Sequence, residues 1–203
     1  MHIVVMGAGV VGITTAWFLQ QQGHQVTVVD RQAQAGLETS YANGGQISVC
    51  HAEPWANPSA PLKILKWLFQ PEAPLLYRPR LDPYQWRWGL SFLTQCTSAR
   101  AAHNIRQMVN LGTYSRSQLQ ALRKELDLDY DHLEKGILHF YTSQQEFDAA
   151  MEPARIMREL GCDRQVIDAD RAVELEPALK DVRQRIAGAT YTADDESGDA
   201  RKF

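Results

Sequence analysis

The sequence predicts an α/β protein that opens on a βαβ unit of the doubly wound kind and continues into a mixed-sheet α+β domain. Three observations predict it. His2-Ile3-Val4-Val5-Met6 is a short apolar run rich in β-branched residues, the composition of a parallel strand buried on both faces. Gly7-Ala8-Gly9-Val10-Val11-Gly12 follows without a break and fits G-x-G-x-x-G. A helical pattern from Val10 to Gln22, a stop at Gly23, and a second β-branched run, Gln25 to Val29, complete the unit, and Asp30 ends it.

Each residue type at that turn has a physical task. Gly7 permits the tight turn from strand to helix, Gly9 lets a pyrophosphate approach bare backbone, and Gly12 lets the helix pack close to the sheet. Ala16, one helical turn later, keeps that contact tight. The first amides of the helix have no helical acceptor, and the helix dipole favours negative charge beside them. Asp30 lies eighteen residues past Gly12, near the spacing at which a carboxylate reaches ribose hydroxyls. The turn therefore reads as a Rossmann-like dinucleotide site built by Ile3, Val4, Val5, Met6, Gly7, Ala8, Gly9, Val10, Val11, Gly12 and Asp30. Asp30 would repel a 2′-phosphate; Arg31, beside it, argues the other way but reads as a surface residue. On residues alone a nicotinamide and a flavin dinucleotide both remain open.

Arg31 to Gln46 reads as a loop with a purpose. Thr39 to Gln46 is dense in small and polar residues that offer hydroxyls, an amide and close backbone N–H groups. The opening unit, Asp30-Arg31, and Ser40-x-x-Asn43-Gly44-Gly45 together resemble the FAD-dependent oxidoreductases of the D-amino acid oxidase and glycine oxidase superfamily. Glu38 to Gln46, Trp86-Arg87-Trp88-Gly89 and Asp195-Glu196-Ser197-Gly198-Asp199 resemble the bacterial members that dehydrogenate D-amino acids, and the likeness covers the whole chain. The resemblance implies FAD as cofactor, with Asp30 and Arg31 at the adenosine ribose and Ser40, Asn43, Gly44, Gly45 and Gln46 running past the pyrophosphate toward the flavin ring. It also implies a D-amino acid substrate oxidised to a 2-oxo acid and ammonia, with electrons passed to a quinone or another respiratory acceptor. Such proteins are about twice this length, and one βαβ unit does not complete a doubly wound sheet, so the sequence reads as an incomplete, N-terminal part. The family's substrate-contacting motifs lie mainly beyond Phe203, and no catalytic residue is assigned. An inactive fragment is the alternative of a different class.

Composition bounds the rest. The 203 residues are 44% hydrophobic and 22% charged, which suits a soluble globular protein of one or two domains. A net charge of −3 gives no support for nucleic-acid binding. Cys50, Cys96 and Cys162 are far apart and read as reduced thiols; no His, Cys, Asp or Glu set has metal-ligand spacing. The opening run is too short for a signal peptide and no segment is long enough to cross a bilayer, so a cytoplasmic protein is expected.

Four stretches divide the chain: 1–50 for the start of the FAD-binding domain, 51–98 for an irregular excursion, 99–192 for part of a substrate domain, and 193–203 for a return to the first. Prolines and tryptophans crowd the excursion, with a helical piece from Leu62 to Phe69. It reads first as a hydrophobic cap over the core. Its apolar, aromatic and basic residues also suit peripheral attachment to the inner face of the cell membrane. Ser98 to Leu126 is the strongest later helix, with Arg116 and Arg123 assigned to a solvated face. Gly136 to Thr142 reads as a strand in which His139 and Tyr141 share a face. Ser143 with Glu146 suits a capping box for a helix that ends at Gly161, with a kink or break near Glu152 because of Pro153. Val166-Ile167 is a strand end, Asp168 caps a helix to Leu175, and Ile186 to Thr192 is a last strand before an acidic turn, Asp194 to Asp199.

Overall fold

The computed structural model describes residues 1–68 and 80–203 and divides them into two compact units. One holds residues 1–48, 116–137 and 193–203, and the other 49–115 and 138–192. Residues 116–137 and 193–203 group with the N-terminal stretch.

In the first unit β1 (His2–Met6) and β2 (Gln25–Val29) pair in parallel from His2 opposite Gln25 to Met6 opposite Val29. Helix α1 (Val10–Gln21) joins them. It ends in a Schellman motif, in which Gly23, at φ +82°, donates to the Gln20 carbonyl and His24 to that of Leu19. The strands are not buried on both faces as their composition suggests. Ile3, Val5, Val26 and Val28 are half-buried while Val4, Met6 and Val29 are exposed, because two strands and one helix cover a single face. Gln46–Ile47 (β3) pairs antiparallel with Glu196–Ser197 (β7), so the expected acidic turn contains a strand.

The second unit is built around β4 (Ile137–Tyr141), β5 (Arg164–Ile167) and β6 (Gly188–Thr192), in the order β4-β6-β5 with β5 and β6 antiparallel. Helices α2 (Ala60–Trp67), α3 (Pro83–Gln95), α5 (Gln144–Glu159) and α6 (Ala169–Leu175) belong to it, as does the first part of α4 (Ser98–Leu126), whose bounds match the expected helix. Its core gathers Val49, Cys50, Ala52, Ile105, Val109, Ile156, Met157 and Cys162. Asp168 caps α6 as expected, accepting from the Arg171 amide at 2.8 Å.

Three expectations fail here. Ser143 stands at the N-cap of α5, but its side chain makes no capping bond, so the box with Glu146 does not form. Helix α5 continues through Pro153 as one element, so no break forms at Glu152. Burial of Ala150, Ala154, Ile156 and Met157 on one side outweighs the missing backbone bond. Among the described residues the excursion gives a core little cover: Ala52 joins it, but α3 buries no residue, α2 buries only Ala60, and Trp55, Leu62, Leu65, Trp86, Trp88 and Leu90 are exposed. Phe69, at the end of the expected helical piece, lies outside the described residues.

Candidate functional site

The glycine turn is held from three sides. Gly7 leaves β1 at φ +108°, a backbone conformation that glycine alone adopts freely, and its amide donates to the Val29 carbonyl at 2.7 Å. Gly9 is the N-cap of α1, and a Cβ on it would lie 3.2 Å from Ser40 Oγ. At Gly12 an added Cβ would stand 1.9 Å from the Gly7 carbonyl oxygen, so no other residue fits between helix and turn. Ile3, Val4, Val5 and Met6 lie along β1 and lead into this bend, and Val11 is exposed at the start of α1.

Two later residues close on the bend. Asp30 accepts from the Ala8 amide at 2.6 Å and from the Gln32 amide at 2.7 Å. These two bonds, Ala8 first, hold its carboxyl below the usual carboxylate range, so it stays ionised beside the turn. Ser40 Oγ accepts from the Val10 amide at 3.0 Å. That bond uses a lone pair of the hydroxyl and leaves its proton to be donated outward. The amides of Val11 and Gly12, in the first turn of α1, have no preceding helical carbonyl to bond. One edge therefore offers N–H and O–H donors under a positive helix end, and the adjacent edge offers an ionised acceptor. That combination suits a phosphate ester whose sugar carries free hydroxyls.

The loop after Asp30 is folded on itself. Arg31 donates to both oxygens of Glu38, at 2.8 and 2.6 Å, and Gln32 adds a bond at 2.6 Å. The Arg31 bond, followed by that of Gln32, draws the Glu38 carboxyl down to about 2. Arg31 is thus occupied by Glu38. Asn43 donates to the carbonyls of Thr39 and Ser40 and accepts from the Gly45 amide at 2.7 Å. Gly45 sits at φ +59°, where a Cβ would lie 2.4 Å from the Gly198 carbonyl, and its own carbonyl accepts from the Gly198 amide at 2.8 Å. A cavity of about 350 Å³ lies against Tyr41, Asn43, Gly44 and Gly45 on one side and Ser197 to Ala200 on the other. Gln46 continues from it into β3.

The residues that hold β7 escape the sequence reading. Arg116 and Arg123 are not solvated: both are largely buried, and each grips a buried carboxylate. Arg116 donates to Asp195 Oδ1 at 3.2 Å and Arg123 to Glu196 Oε2 at 2.6 Å, with Gln120 also bonded to Glu196. Arg116, Gln120 and Arg123 recur at i, i+4 and i+7, one polar stripe along α4. That spacing, set against the adjacent acids Asp195 and Glu196, was the available signal.

In the second unit Arg164 is buried as well. It bonds to Glu53, to the Cys50 carbonyl at 3.2 Å, to Thr190 Oγ1 at 3.2 Å and to Tyr141 Oη at 2.9 Å. His139 stacks on His51 at 5.3 Å between ring centres, with Nε2 3.6 Å from Cys50 Sγ. His139 and Tyr141 thus sit in packed contacts. Cys50 and Cys162 are buried and outside any disulfide, and Cys96 is partly exposed. Among the described residues no group of three or more His, Cys, Asp or Glu is placed to hold a metal ion, and no helix is long and apolar enough to cross a membrane.

Comparison with known proteins is consistent with this geometry. Residues 2–203 match the model of a family described as FAD dependent oxidoreductase. Over the whole chain, a D-amino acid dehydrogenase of Dechloromonas aromatica is 58% identical, and the match takes in 49% of that relative. One of Paramagnetospirillum magneticum is 52% identical, with 48% of its length covered. The chain thus spans about half the length of the curated relatives it matches. Among solved structures, glycine oxidase from Geobacillus kaustophilus superposes with a TM-score of 0.59 at 20% identity, over 98% of this chain and 40% of that one. L-proline dehydrogenase from P. horikoshii superposes with a TM-score of 0.56 at 17% identity, over 99% of this chain and 38% of that one.

Proposed function

This chain belongs to the family of FAD dependent oxidoreductases, and we propose that it binds the ADP end of FAD and serves the oxidation of D-amino acids to 2-oxo acids and ammonia. One observation carries the cofactor reading: Asp30 and Ser40 both close on the backbone amides of the glycine bend. In this reading the pyrophosphate lies over Gly7, Gly9 and Gly12 and accepts from the Val11 and Gly12 amides and the Ser40 hydroxyl. Asp30 accepts from the ribose hydroxyls, and Asn43 to Gln46 lead toward the ring. When bound, the flavin supplies the two-electron acceptance. The chain's share is to hold that group in one orientation.

The substrate class rests on the likeness to D-amino acid dehydrogenases over the whole chain. In a protein of the relatives' full length that carries this sequence, D-alanine added without oxygen bleaches the visible flavin band and L-alanine does not. Bleaching by L-alanine alone overturns the substrate class. For the cofactor, the chain itself quenches FAD fluorescence on binding, and Asp30→Ala weakens binding by about 10- to 100-fold, the loss expected for a hydrogen bond to a charged group. A colourless protein that binds NAD in preference to FAD overturns that reading.

Electrons pass in this reading to a quinone or another respiratory acceptor, and the excursion makes peripheral contact with the inner face of the membrane. The exposure of Trp55, Leu62, Leu65, Trp86 and Trp88 near Lys63, Lys66 and Arg87 favours such contact. Co-sedimentation with anionic vesicles that falls on Leu62→Ser/Leu65→Ser supports it, and equal sedimentation of both proteins overturns it.

A further inference from the structure

We propose that Arg116 and Arg123 of α4 are positioning residues for the flavin-side part of the cofactor loop, acting through the buried carboxylates Asp195 and Glu196. The proposal rests on the FAD reading above. It begins from a weakness in the backbone. β3 and β7 are two residues each, and so short a ladder does not hold itself in place. Yet this pair sets Gly45, because Gly198 next to β7 donates to the Gly45 carbonyl and leaves no room for a side chain there. On the other edge of β7 Ser197 exchanges backbone bonds with Leu133 at 2.8 and 3.0 Å, and side chains complete the hold on the strand.

The side chains that do so come from one stripe of α4. Arg123 reaches Glu196 in β7 at 2.6 Å, Tyr130 Oη at 3.1 Å, and Glu134. Tyr130 is fully buried, and its ring lies so close to Gly198 that a Cβ there would stand 2.4 Å from it. Arg116 reaches the Asp194 carbonyl at 2.9 Å and Asp195 Oδ1 at 3.2 Å, while Asp195 Oδ2 accepts from Ser48 Oγ at 2.9 Å. Ser48 directly follows β3. The network therefore clasps the strand pair at the end away from Gly45 and Gly198, where Ser48 meets Asp195 and, one step in, Glu196 lies opposite Ile47. Asp195 and Glu196 are each less than a twentieth exposed, so the arginines are their charge partners in a setting where an unpaired carboxylate is strongly disfavoured. None of these side chains lies at the glycine bend, which is held separately by Asp30 and Ser40.

That separation gives the test. ADP engages only the bend, whereas FAD also engages the loop that β7 positions. Arg123→Met/Glu196→Met removes the charge pair as a unit, a replacement that buried pairs commonly tolerate. In this variant ADP binds the chain as in the wild type, while FAD binds roughly tenfold to a hundredfold more weakly and fluoresces more when bound. Ser48→Ala, a milder change at the Arg116–Asp195 part of the clasp, shifts FAD affinity the same way by less. Equal losses for ADP and FAD would mark a general structural role, and no loss for either would mark none; both overturn the proposal. A wild-type chain that binds ADP but gains nothing from the flavin half would instead overturn the FAD reading on which it rests. Should the double variant fail to fold, Ser48→Ala decides alone, since a loss confined to FAD supports the proposal and any other result overturns it.

Discussion

In the first unit, segments far apart in the chain are joined by a few polar contacts and by bare backbone. Asp30 and Ser40 bond amides of the bend, Gly12 touches the Gly7 carbonyl, and two arginines hold Asp195 and Glu196. In the second unit the centre is apolar, from Val49 and Cys50 to Ile105, Val109, Ile156 and Met157, with Arg164 as its one large buried cation among the described residues. The difference is one of tolerance. Apolar contacts degrade in proportion to the volume removed. A backbone clash or an unpaired buried group fails abruptly, because nothing nearby relaxes to absorb it. The first unit should therefore be brittle at a few positions, and the second graded.

The largest expected effect lies at Gly12. Gly12→Ala places a methyl group 1.9 Å from a carbonyl oxygen that is itself part of the turn, so the helix must move off the sheet. A loss of at least about 3 kcal/mol is expected, together with loss of ADP binding. Denaturant unfolding and ADP titration of the variant check it. Near-normal binding would show that the bend is not brittle.

Met157→Ala is the graded counterpart. Met157 is fully buried among Val109, Ile156 and Cys162, and truncation costs about 2–5 kcal/mol, depending on how far the site collapses. ADP affinity of the folded fraction should stay unchanged. Calorimetry with a parallel ADP titration separates the two quantities, and a loss of affinity here would break the contrast between the units.

Much of the brittle region is legible in the sequence because its logic is local. The spacing of Gly7, Gly9 and Gly12 and the position of Asp30 are enough to draw the bend, and Asp168 announces its own helix. What the sequence hides depends on partners far along the chain. Arg116 and Arg123 look solvated until Asp195 and Glu196, more than seventy residues later, are brought against them. β7 hides inside an acidic run because two residues carry no periodicity. Arg164 gives no warning, since its partners come from Glu53, Tyr141 and Thr190. The β1 composition misleads in the opposite sense, promising burial on two faces where one helix covers one.

A smaller effect sharpens the comparison by pH. Glu38 is drawn from its ordinary 4.5 to about 2 by Arg31, and Asp30 is lowered by the Ala8 and Gln32 amides. A group depressed on folding adds stability that is present above its ordinary value and is lost as pH falls toward the folded one. The loop at the bend should therefore loosen between about pH 4.5 and 2, with ADP affinity falling across that window. Glu38→Gln removes the Arg31 pair beforehand and flattens this part of the profile. It also frees Arg31 beside the ribose, so 2′-phosphorylated ADP should gain affinity relative to ADP. An unchanged profile would remove the loop from the account of brittleness.

The smallest change expected is a gain, and it lies in the graded unit. Thr192 on β6 is 1% exposed, and its hydroxyl has no hydrogen-bond partner among the described protein atoms, whereas Thr190 on the same face accepts from Arg164. A buried hydroxyl without a partner costs about 1–3 kcal/mol relative to an apolar group of the same shape. Thr192→Val keeps the branched outline and the β-strand preference while removing that cost, so the melting temperature should rise. Thr190→Val, made on the same strand, should lower it, because it strips an acceptor from the buried guanidinium. Opposite shifts from the same substitution two residues apart would show that the apolar unit, too, turns brittle wherever its one buried cation is concerned. Equal shifts would mean that Arg164 is as forgiving as the side chains around it.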